Sequence, residues 1–369
     1  MKIYKLYIYL VVVIFTFSFF ISGVKRYAVE QLAIDSAIGY DLEKSVEGIE
    51  IRSSTASRYL VTEKQVKSIN VTTRGETIPK LREERQRRMD KKILLGLEKV
   101  YVIGENYAKH GIRDLLDVYF RNPDVRDATL LCVCEGKAED ILKIQVEGYP
   151  SAGDYIEGLL RYANEMNFFT ENYMLIDAYV RLEEEGRNLV LPYITAKDNI
   201  FEISGMAVFK DDKMITVIPS PKLKYLNLLR ETNVSGIITL QKDSDKHIGL
   251  FAISKRKVKC YKENDKYKFI INLNLSGQIV ANDYELLMID KPGKKKEIEA
   301  KIAKNLKKEL EGFIKELKTE HKVDALELGR IAAAKYGRDT GVDWNEVVMN
   351  SEIKVNVSFR INRFGRGDL

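Results

Sequence analysis

Histidines and phosphate-binding loops, two frequent signatures of catalysis, are sparse in this sequence. His110, His247 and His321 are far apart along the chain, and no H-E-x-x-H motif places two imidazoles on one helix face for zinc. Neither G-x-x-x-x-G-K-[ST] nor G-x-G-x-x-G is present, the motifs whose glycines let the backbone approach a phosphate. These absences argue against a zinc enzyme or a histidine-based triad, and we expect no metal or cofactor.

A serine and two acidic runs are the other candidates for chemistry. Ser151 lies in "GYPSAG", but Gly148 is three residues before it, so Pro150-Ser151 predicts a helix start rather than a nucleophile elbow. Glu183–Glu185 and Asp211-Asp212 are expected at a solvated helix end and a hairpin tip. A carboxylate-based hydrolase needs only two acids, so that class stays open. We assign no residue as catalytic.

The three cysteines do not form a disulfide pattern. Cys132 and Cys134 alternate with apolar residues in "TLLCVCEG", which is typical of a strand, and Cys260 is distant. Residues i and i+2 of a strand are too far apart to bridge easily. We therefore predict buried free thiols, with no further ligand at zinc-site spacing.

The charge balance is only mildly basic. The net charge is +6, too small for the clustered basic face of a nucleic-acid-binding protein, so no nucleic-acid partner is expected. Lys294–Lys296 could touch an anionic surface, but the run is better explained as a loop tip before a helix.

The elements that would position these residues divide the chain into two parts. Strand-like and helix-like segments alternate up to about residue 190, which predicts a mixed sheet covered by helices. Beyond residue 196 the sequence predicts an α+β unit, with strands first and a long helix after them. Apolar residues recur every three or four positions between Ile298 and Leu317, which gives that helix one narrow apolar stripe. The predicted domains are 24–195 and 196–369.

The first 23 residues have the features of an export signal. Lys2 and Lys5 precede 16 residues without a charge, and the small residues Ser22-Gly23 follow. A helix of about 16 to 19 residues here would span roughly 24–28 Å, slightly short of a full bilayer core but close to it. Residues 1–23 are therefore predicted to be either a cleaved signal or an uncleaved apolar anchor helix.

Several stretches together resemble the Ger(x)C family of spore germination proteins. Glu30 and "LAIDSAIGYD" (Leu32–Asp41) resemble the family's mature start, and Met89–Leu142 is similar to its most recognisable block. "ISGMAVFKDDKMI" (Ile203–Ile215) and Asp324–Gly337 resemble its C-terminal domain. Their order and spacing along nearly the whole chain make the resemblance fairly specific.

The resemblance implies an α+β fold and a non-enzymatic subunit of a nutrient germinant receptor. Such a subunit would lie on the outer face of the spore inner membrane and act with polytopic membrane subunits to trigger germination. The resemblance brings no catalytic residues with it, so none are transferred to this sequence. Gly39, Asp41 and the Glu105–Gly111 turn are expected to be structural landmarks rather than sites.

The chain departs from the family at the position of the lipid. "ISGV" resembles a lipobox in which Val24 replaces the cysteine that would carry diacylglycerol. Membrane attachment would then come from residues 4–22 or through partner subunits, and we favour the helix because a spanning segment is held more firmly than one acyl chain.

Two other functions remain open. The protein could be an envelope ligand-binding module that recognises a small nutrient in a cleft near residues 190–205; this predicts a concave pocket with a few polar groups. The less favoured alternative is the carboxylate-based cell-envelope hydrolase. Neighbouring genes for multi-span membrane proteins would favour a receptor role, and genes for wall hydrolases would favour the enzyme.

Overall fold

A computed structural model describes residues 2–21, 27–45, 48–62, 65–241, 247–264, 266–282 and 292–363 of the 369. The helices are α1 (Lys2–Ile21), α2 (Ile78–Arg88), α3 (Glu105–His110), α4 (Arg113–Phe120), α5 (Ala138–Lys143), α6 (Ala152–Arg161), α7 (Leu175–Glu183), α8 (Leu223–Arg230), α9 (Pro292–Glu316), α10 (Leu328–Tyr336) and α11 (Trp344–Asn350). The strands are β1 (Leu32–Ser45), β2 (Gly48–Thr62), β3 (Gln65–Gly75), β4 (Lys92–Leu94), β5 (Val100–Gly104), β6 (Leu130–Cys134), β7 (Val190–Lys197), β8 (Ile200–Lys210), β9 (Lys213–Pro219), β10 (Ser235–Gln241), β11 (His247–Glu263), β12 (Lys266–Asn282) and β13 (Glu352–Arg363).

The apolar N-terminal run forms α1, whose described side chains are all exposed. No helix in the described part of the chain has both the length and the apolarity needed to cross a bilayer. The spanning segment expected over residues 4–22 is thus not found, although a helix is present there. The lipobox-like position Val24 lies outside the described residues.

The first sheet is mixed and has the order β3-β2-β1-β5-β6-β7-β8-β9, with β4 paired to β1. Parallel pairing joins β1 to β5, β5 to β6 and β6 to β7, whereas the outer pairs are antiparallel. Strands β5 and β6 are buried along their full length. That burial explains their continuous apolar sequences, because helices cover both faces of such strands.

The polar stretch after β1 folds into two long strands that the sequence patterns did not predict. Strand β2 pairs with β1 and with β3. Its small hydroxyl side chains are buried, among them Ser53, Ser54 and Thr55. Hydrophobic alternation is the usual sign of a strand. Here consecutive small hydroxyl residues, which point to opposite faces of the strand, are buried on both sides.

The family-like segments of the first half lock together around Asp41. Its carboxylate accepts the backbone N–H groups of Ala138 at 2.7 Å and Glu139 at 2.8 Å, and so caps the start of α5. Gly104 lies beside it, and a Cβ at that position would sit 2.0 Å from the Asp41 Oδ1 atom. Asp41 and Gly104 therefore hold α5 against β1 and β5.

Two loop predictions of the first half agree with the structure. Ser151 is the N-cap of α6, and its hydroxyl accepts the Asp154 N–H. Asp211-Asp212 forms the turn between β8 and β9. There the carbonyl of Asp212 accepts the Ile112 N–H at 3.0 Å. The segment Glu105–Gly111, expected to be a turn, is instead helix α3 with Gly111 as its C-cap.

The second sheet has the order β10-β11-β12-β13, antiparallel except for the parallel pair β12–β13. Helix α9 buries the predicted stripe against it, through residues that include Ile302, Leu306 and Leu310. The α+β fold class is confirmed. The first sheet, however, continues through β8 and β9 to Pro219, beyond residue 195, and the domain boundary at 195–196 stays a prediction.

The three cysteines are free and buried, as predicted. Burial raises the pKa of the thiols of Cys132 and Cys134 well beyond the ordinary range, and that of Cys260 to about 11. A thiol held protonated is a poor nucleophile. The cysteines therefore act as small apolar residues in the core.

Candidate functional site at the junction of the two sheets

An open groove of about 610 Å³ lies where the two sheets meet. We call it the groove; its walls come from residues 158–169, 201–203 and 220–224 and from Ile237. These segments are the end of α6 with the turn after it, the start of β8, the start of α8 and the middle of β10. Its volume is in the usual range for small-molecule sites.

The turn after α6 forms the groove floor because it is hydrogen-bonded to β10. The Phe168 N–H donates to the Ser235 carbonyl at 2.6 Å, and the Ile237 N–H donates to the Met166 carbonyl at 3.1 Å. Phe168 covers Gly236, where an added Cβ would lie 2.4 Å from the ring. Glycine at position 236 thus permits the close contact between β10 and the turn after α6.

The lining is apolar with few charges. Phe168, Phe169 and Phe201 are buried in the walls, whereas Tyr162 and Met166 are 66% and 56% exposed. The charged side chains in the lining are Glu202 and Lys224. Aromatic walls with one carboxylate and one ammonium group suit a small molecule that has both apolar and polar parts.

The cleft expected near residues 190–205 is present only at its C-terminal end. Residues 201–203 line the groove. Residues 190–197 instead form β7 inside the first sheet, where Val190 and Leu191 are buried. Sequence reasoning missed the other walls because no motif connects residues 158–169 with 220–224.

The junction also contains an ion cluster of Arg181, Arg187, Arg230 and Glu327, in which Arg187 is half-buried and the others are buried. The Glu327 carboxylate accepts hydrogen bonds from Arg230 at 2.6 Å, Arg187 at 3.1 Å and Arg181 at 3.3 Å. Arg230 also donates to the carbonyls of Ala325 and Asn188. The cluster therefore ties α7 and α8 to the loop before α10.

The charges of the ion cluster set the ionisation of Glu327. Burial alone would raise the pKa of this carboxyl, but Arg230, Arg187 and Arg181 outweigh it and hold the pKa at about 2. Glu327 is thus an anion at every physiological pH. The three arginines share this acid. Arg187 pairs in addition with Glu184, and Arg230 with Glu231, so Glu327 supplies part of the charge compensation in the cluster.

Two of the glutamates assigned to a solvated helix end are part of the same junction. Glu184 pairs with Arg187 at 2.7 Å and Arg338 at 3.0 Å, and Glu185 accepts the Trp344 indole N–H at 2.6 Å. These contacts lower the pKa of both carboxyls. The expectation of a purely solvated acidic run is wrong for Glu184 and Glu185, because their partners come from residues 338–344, distant in sequence.

A second cavity, of about 400 Å³, lies beside the ion cluster and has mostly polar walls. Its buried acid is Asp324, and burial raises the pKa of Asp324 to about 6. Both of its oxygens accept backbone N–H groups, from Leu326 at 3.1 Å and Gly329 at 2.6 Å. Asp324 therefore orders the loop that presents Glu327.

One group of side chains in the described residues has the proximity to hold a metal ion: Glu316, Glu320 and His321. Glu316 already accepts Lys222 Nζ at 2.6 Å, and His321 Nδ1 lies 3.0 Å from the Thr216 hydroxyl. An ammonium group on a ligand oxygen competes with a cation. We assign this group to the packing of the end of α9 against β9 and the start of α8.

The fold and this junction define an α+β protein of two joined sheets, with its open groove between them. Comparison with known proteins then identifies the family. A model described as "Spore germination protein N-terminal domain" matches residues 25–196, and one described as "Spore germination B3/ GerAC like, C-terminal" matches residues 204–365. The chain belongs to this GerAC-like family of spore germination proteins.

Individual relatives have low sequence identity to this chain but match most of its length. Spore germination protein GerQC of Bacillus cereus is 24% identical over 73% of this chain and 76% of its own length. Spore germination protein YndF of Bacillus subtilis (strain 168) is 21% identical over 80% of this chain and 75% of its own. The crystal structure of GerBC covers 88% of this chain and 97% of its own, with a TM-score of 0.59 at 17% identity, and shares the fold.

Proposed function

We propose that this protein is a non-catalytic, membrane-attached subunit of a nutrient germinant receptor that acts with polytopic membrane subunits to trigger germination. The observation that carries the proposal is the match of both family domains, in order, over most of the chain. The geometry supports a binding or transmitting role. The acids at the junction neutralise arginines or cap backbone N–H groups, which orders the contact between the two halves.

We place the protein at the outer face of the spore inner membrane, attached by residues 4–22 or through its partner subunits. Helix α1 supports this placement because its described side chains, mostly large apolar ones such as Ile8, Val12 and Phe15, are all exposed. The transfer of this much apolar surface out of water is favourable, because it lowers the free energy of the system.

A second candidate role, recognition of a small nutrient, is favoured by the groove. Its volume, its aromatic walls and its pair of opposite charges, Glu202 and Lys224, fit a small amphipathic molecule. In this role the groove would bind the nutrient. The ion cluster would then couple nutrient binding to the contact between residues 24–195 and residues 196–369. The two roles are compatible within one receptor subunit.

The test is germination of spores that carry an in-frame deletion of the gene, followed as loss of optical density across a panel of nutrients. We expect loss of response to one nutrient class, restored by the intact gene. An unchanged response to every nutrient would contradict a receptor role. Loss of response to all nutrients together would contradict nutrient recognition by this subunit while leaving a general receptor role in place.

A further inference from the structure

The second sheet has one open face, opposite α9. Alternate residues of β11, β12 and β13 point to this side, and cross-strand pairing sets them in rows. Their neighbours Phe269, Ile271 and Val355 point into the core that α9 covers. We define the open face by Ile253, Lys255, Lys257, Lys259 and Tyr261 of β11, Lys268, Ile270, Asn272, Asn274 and Ser276 of β12, and Glu352, Lys354, Asn356, Ser358 and Arg360 of β13.

The middle of the open face is an ordered polar ladder. Asn356 donates to the side-chain oxygen of Asn272 at 3.0 Å, and the Ser358 hydroxyl donates to that of Asn274 at 2.6 Å. These bonds run across the β12–β13 pair and fix the side chains of Asn272 and Asn274 in place.

Basic side chains flank the ladder on both sides. Lys255, Lys257 and Lys259 are exposed on β11, and within the described residues none of them forms an ion pair. Lys354 and Arg360 are exposed on β13. Successive lysines of the row are about 7 Å apart, and the two basic rows are separated by about 10 Å.

The open face as defined is therefore strongly cationic. It has six basic side chains, namely Lys255, Lys257, Lys259, Lys268, Lys354 and Arg360, and one acid, Glu352. Glu352 lies 3.0 Å from both Lys268 and Lys354 and is shared between them. The lysine row of β11 forms no ion pair within the described residues.

We propose that the open face docks on the anionic headgroups of a phospholipid bilayer. The inference rests on the membrane attachment proposed above and names the surface that would orient the protein there. Lysine is a compact point charge on a flexible stem, which suits a diffuse layer of headgroups better than one fixed carboxylate. Evenly spaced cations along one face match a surface of anionic headgroups.

This docking also complements α1. The binding of an apolar helix at a membrane surface scales with the apolar area it buries, and electrostatic attraction to anionic lipids adds to it. The exposed apolar side chains of α1 supply the first contribution, and the open face supplies the second. Together they would fix which side of the second sheet faces the bilayer, and so where the groove opens.

The experiment compares full-length variants in co-flotation with vesicles. One set of vesicles is phosphatidylcholine, and the other contains equal parts of phosphatidylcholine and phosphatidylglycerol. The test variant carries Lys255→Gln, Lys257→Gln and Lys259→Gln. The matched control carries Lys301→Gln, Lys304→Gln and Lys308→Gln, which remove the same charge from exposed positions of α9 on the other side of the sheet.

We expect the intact chain to bind the anionic vesicles more tightly, and the test variant to lose up to about 100-fold in partition, at about 1 kcal/mol per lysine. Added salt should weaken the intact chain's preference, since screening shortens the reach of surface charges. The control should retain most of the binding. Equal losses in both variants, or no loss in the test variant, would overturn the proposal.

Germination separates this inference from the proposed function. If the test variant binds vesicles normally but fails to restore germination to the deletion strain, the open face meets an acidic protein instead of lipid, and the inference is wrong while the receptor role stands. If deletion spores germinate normally, the receptor role is contradicted whatever the vesicles show. Circular dichroism of each variant checks that it is folded.

Discussion

Trp344 donates its indole N–H to the Glu185 carboxylate at 2.6 Å, so that α11 is joined to the segment that follows α7. The same carboxylate accepts the Asp339 backbone N–H at 2.7 Å. Trp344 is the single tryptophan of the chain and is buried. Its fluorescence therefore reports directly on the contact between the two halves.

Replacing Glu185 should loosen this contact. In Glu185→Ala the indole N–H loses its acceptor, and we expect a red-shifted emission maximum and a lower midpoint in a thermal unfolding scan followed by fluorescence. Glu165→Ala, at an exposed position after α6, is the matched control and should leave emission unchanged. Equal emission spectra for Glu185→Ala and the intact protein would contradict the assigned contact.

Glu327 should be highly sensitive to substitution, because its carboxylate is buried and paired with three arginines. Glu327→Gln removes the charge that three arginines share, and the loss of one partner from a buried ion pair typically destabilises by about 3–5 kcal/mol. The exposed Glu311→Gln, which breaks only the surface pair with Lys307, should cost no more than about 0.5 kcal/mol. Urea unfolding of both variants measures the difference. A similar loss in the two would mean that the ion cluster contributes no more than a surface pair.

The ion cluster also predicts acid sensitivity. The folded-state pKa of Glu327 is about 2, below its ordinary value of 4.5, so folding favours the anion. This stabilisation is complete above pH 4.5 and is lost as the pH falls toward 2. Asp324 acts in the opposite sense, since its raised pKa of about 6 makes stability fall as the pH rises from 3.8 through 6. Thermal unfolding scans across these pH windows check this. The fall in unfolding midpoint below pH 4.5 should be smaller in Glu327→Gln than in the intact protein, and unchanged in Glu311→Gln.

Gly104 tests the packing around Asp41. Because a Cβ would meet the Asp41 carboxylate, Gly104→Ala should cost about 1–3 kcal/mol through overpacking. The matched change Gly158→Ala, in α6 where a Cβ meets nothing within 4 Å, should be neutral or stabilise by about 0.5–1 kcal/mol. The urea unfolding midpoints of the two alanine variants, each compared with that of the intact protein, measure these changes in stability. A stable Gly104→Ala protein would show that α5 can move away from β1 without loss.

Gly158 also allows the groove to be filled without disturbing the core. Gly158→Phe places a ring in the groove from a helical position with open space. We expect a selective loss of response to one nutrient class, with unfolding unchanged within about 0.5 kcal/mol, as is usual for surface positions. Gly312→Phe adds the same bulk to the exposed side of α9 and should respond normally. Normal germination with Gly158→Phe would exclude the groove as the nutrient site.

The sequence predicted those parts of the fold whose signals are local. The stripe of α9, the cap at Ser151 and the buried thiols of Cys132 and Cys134 follow from spacing and residue type, and the structure has them. Strands β2 and β3 were missed because buried hydroxyls replace the alternating apolar residues that mark a strand. Here pairing with β1, not periodicity, decides the structure.

The candidate site was the least predictable part because it is assembled from distant segments. Glu327 meets Arg181 across 146 residues of sequence, and Gly236 meets Phe168 only because β10 docks on the turn after α6. Local patterns of residue type do not indicate which distant side chains will be in contact. The family resemblance predicted that the halves belong together, but not which side chains join them.

The parallel pairing of β13 with β12 has a consequence for biosynthesis. Residues 283–351 separate the two strands, so β12 leaves the ribosome well before its partner exists. At typical elongation rates of roughly 5–20 residues per second, one edge of β12 stays unpaired for several seconds. Helix α9, which packs on β13, must wait as well. The second sheet can thus close only after residue 363 has been translated, so a ribosome that stalls within this interval would present an uncovered strand edge to chaperones and proteases.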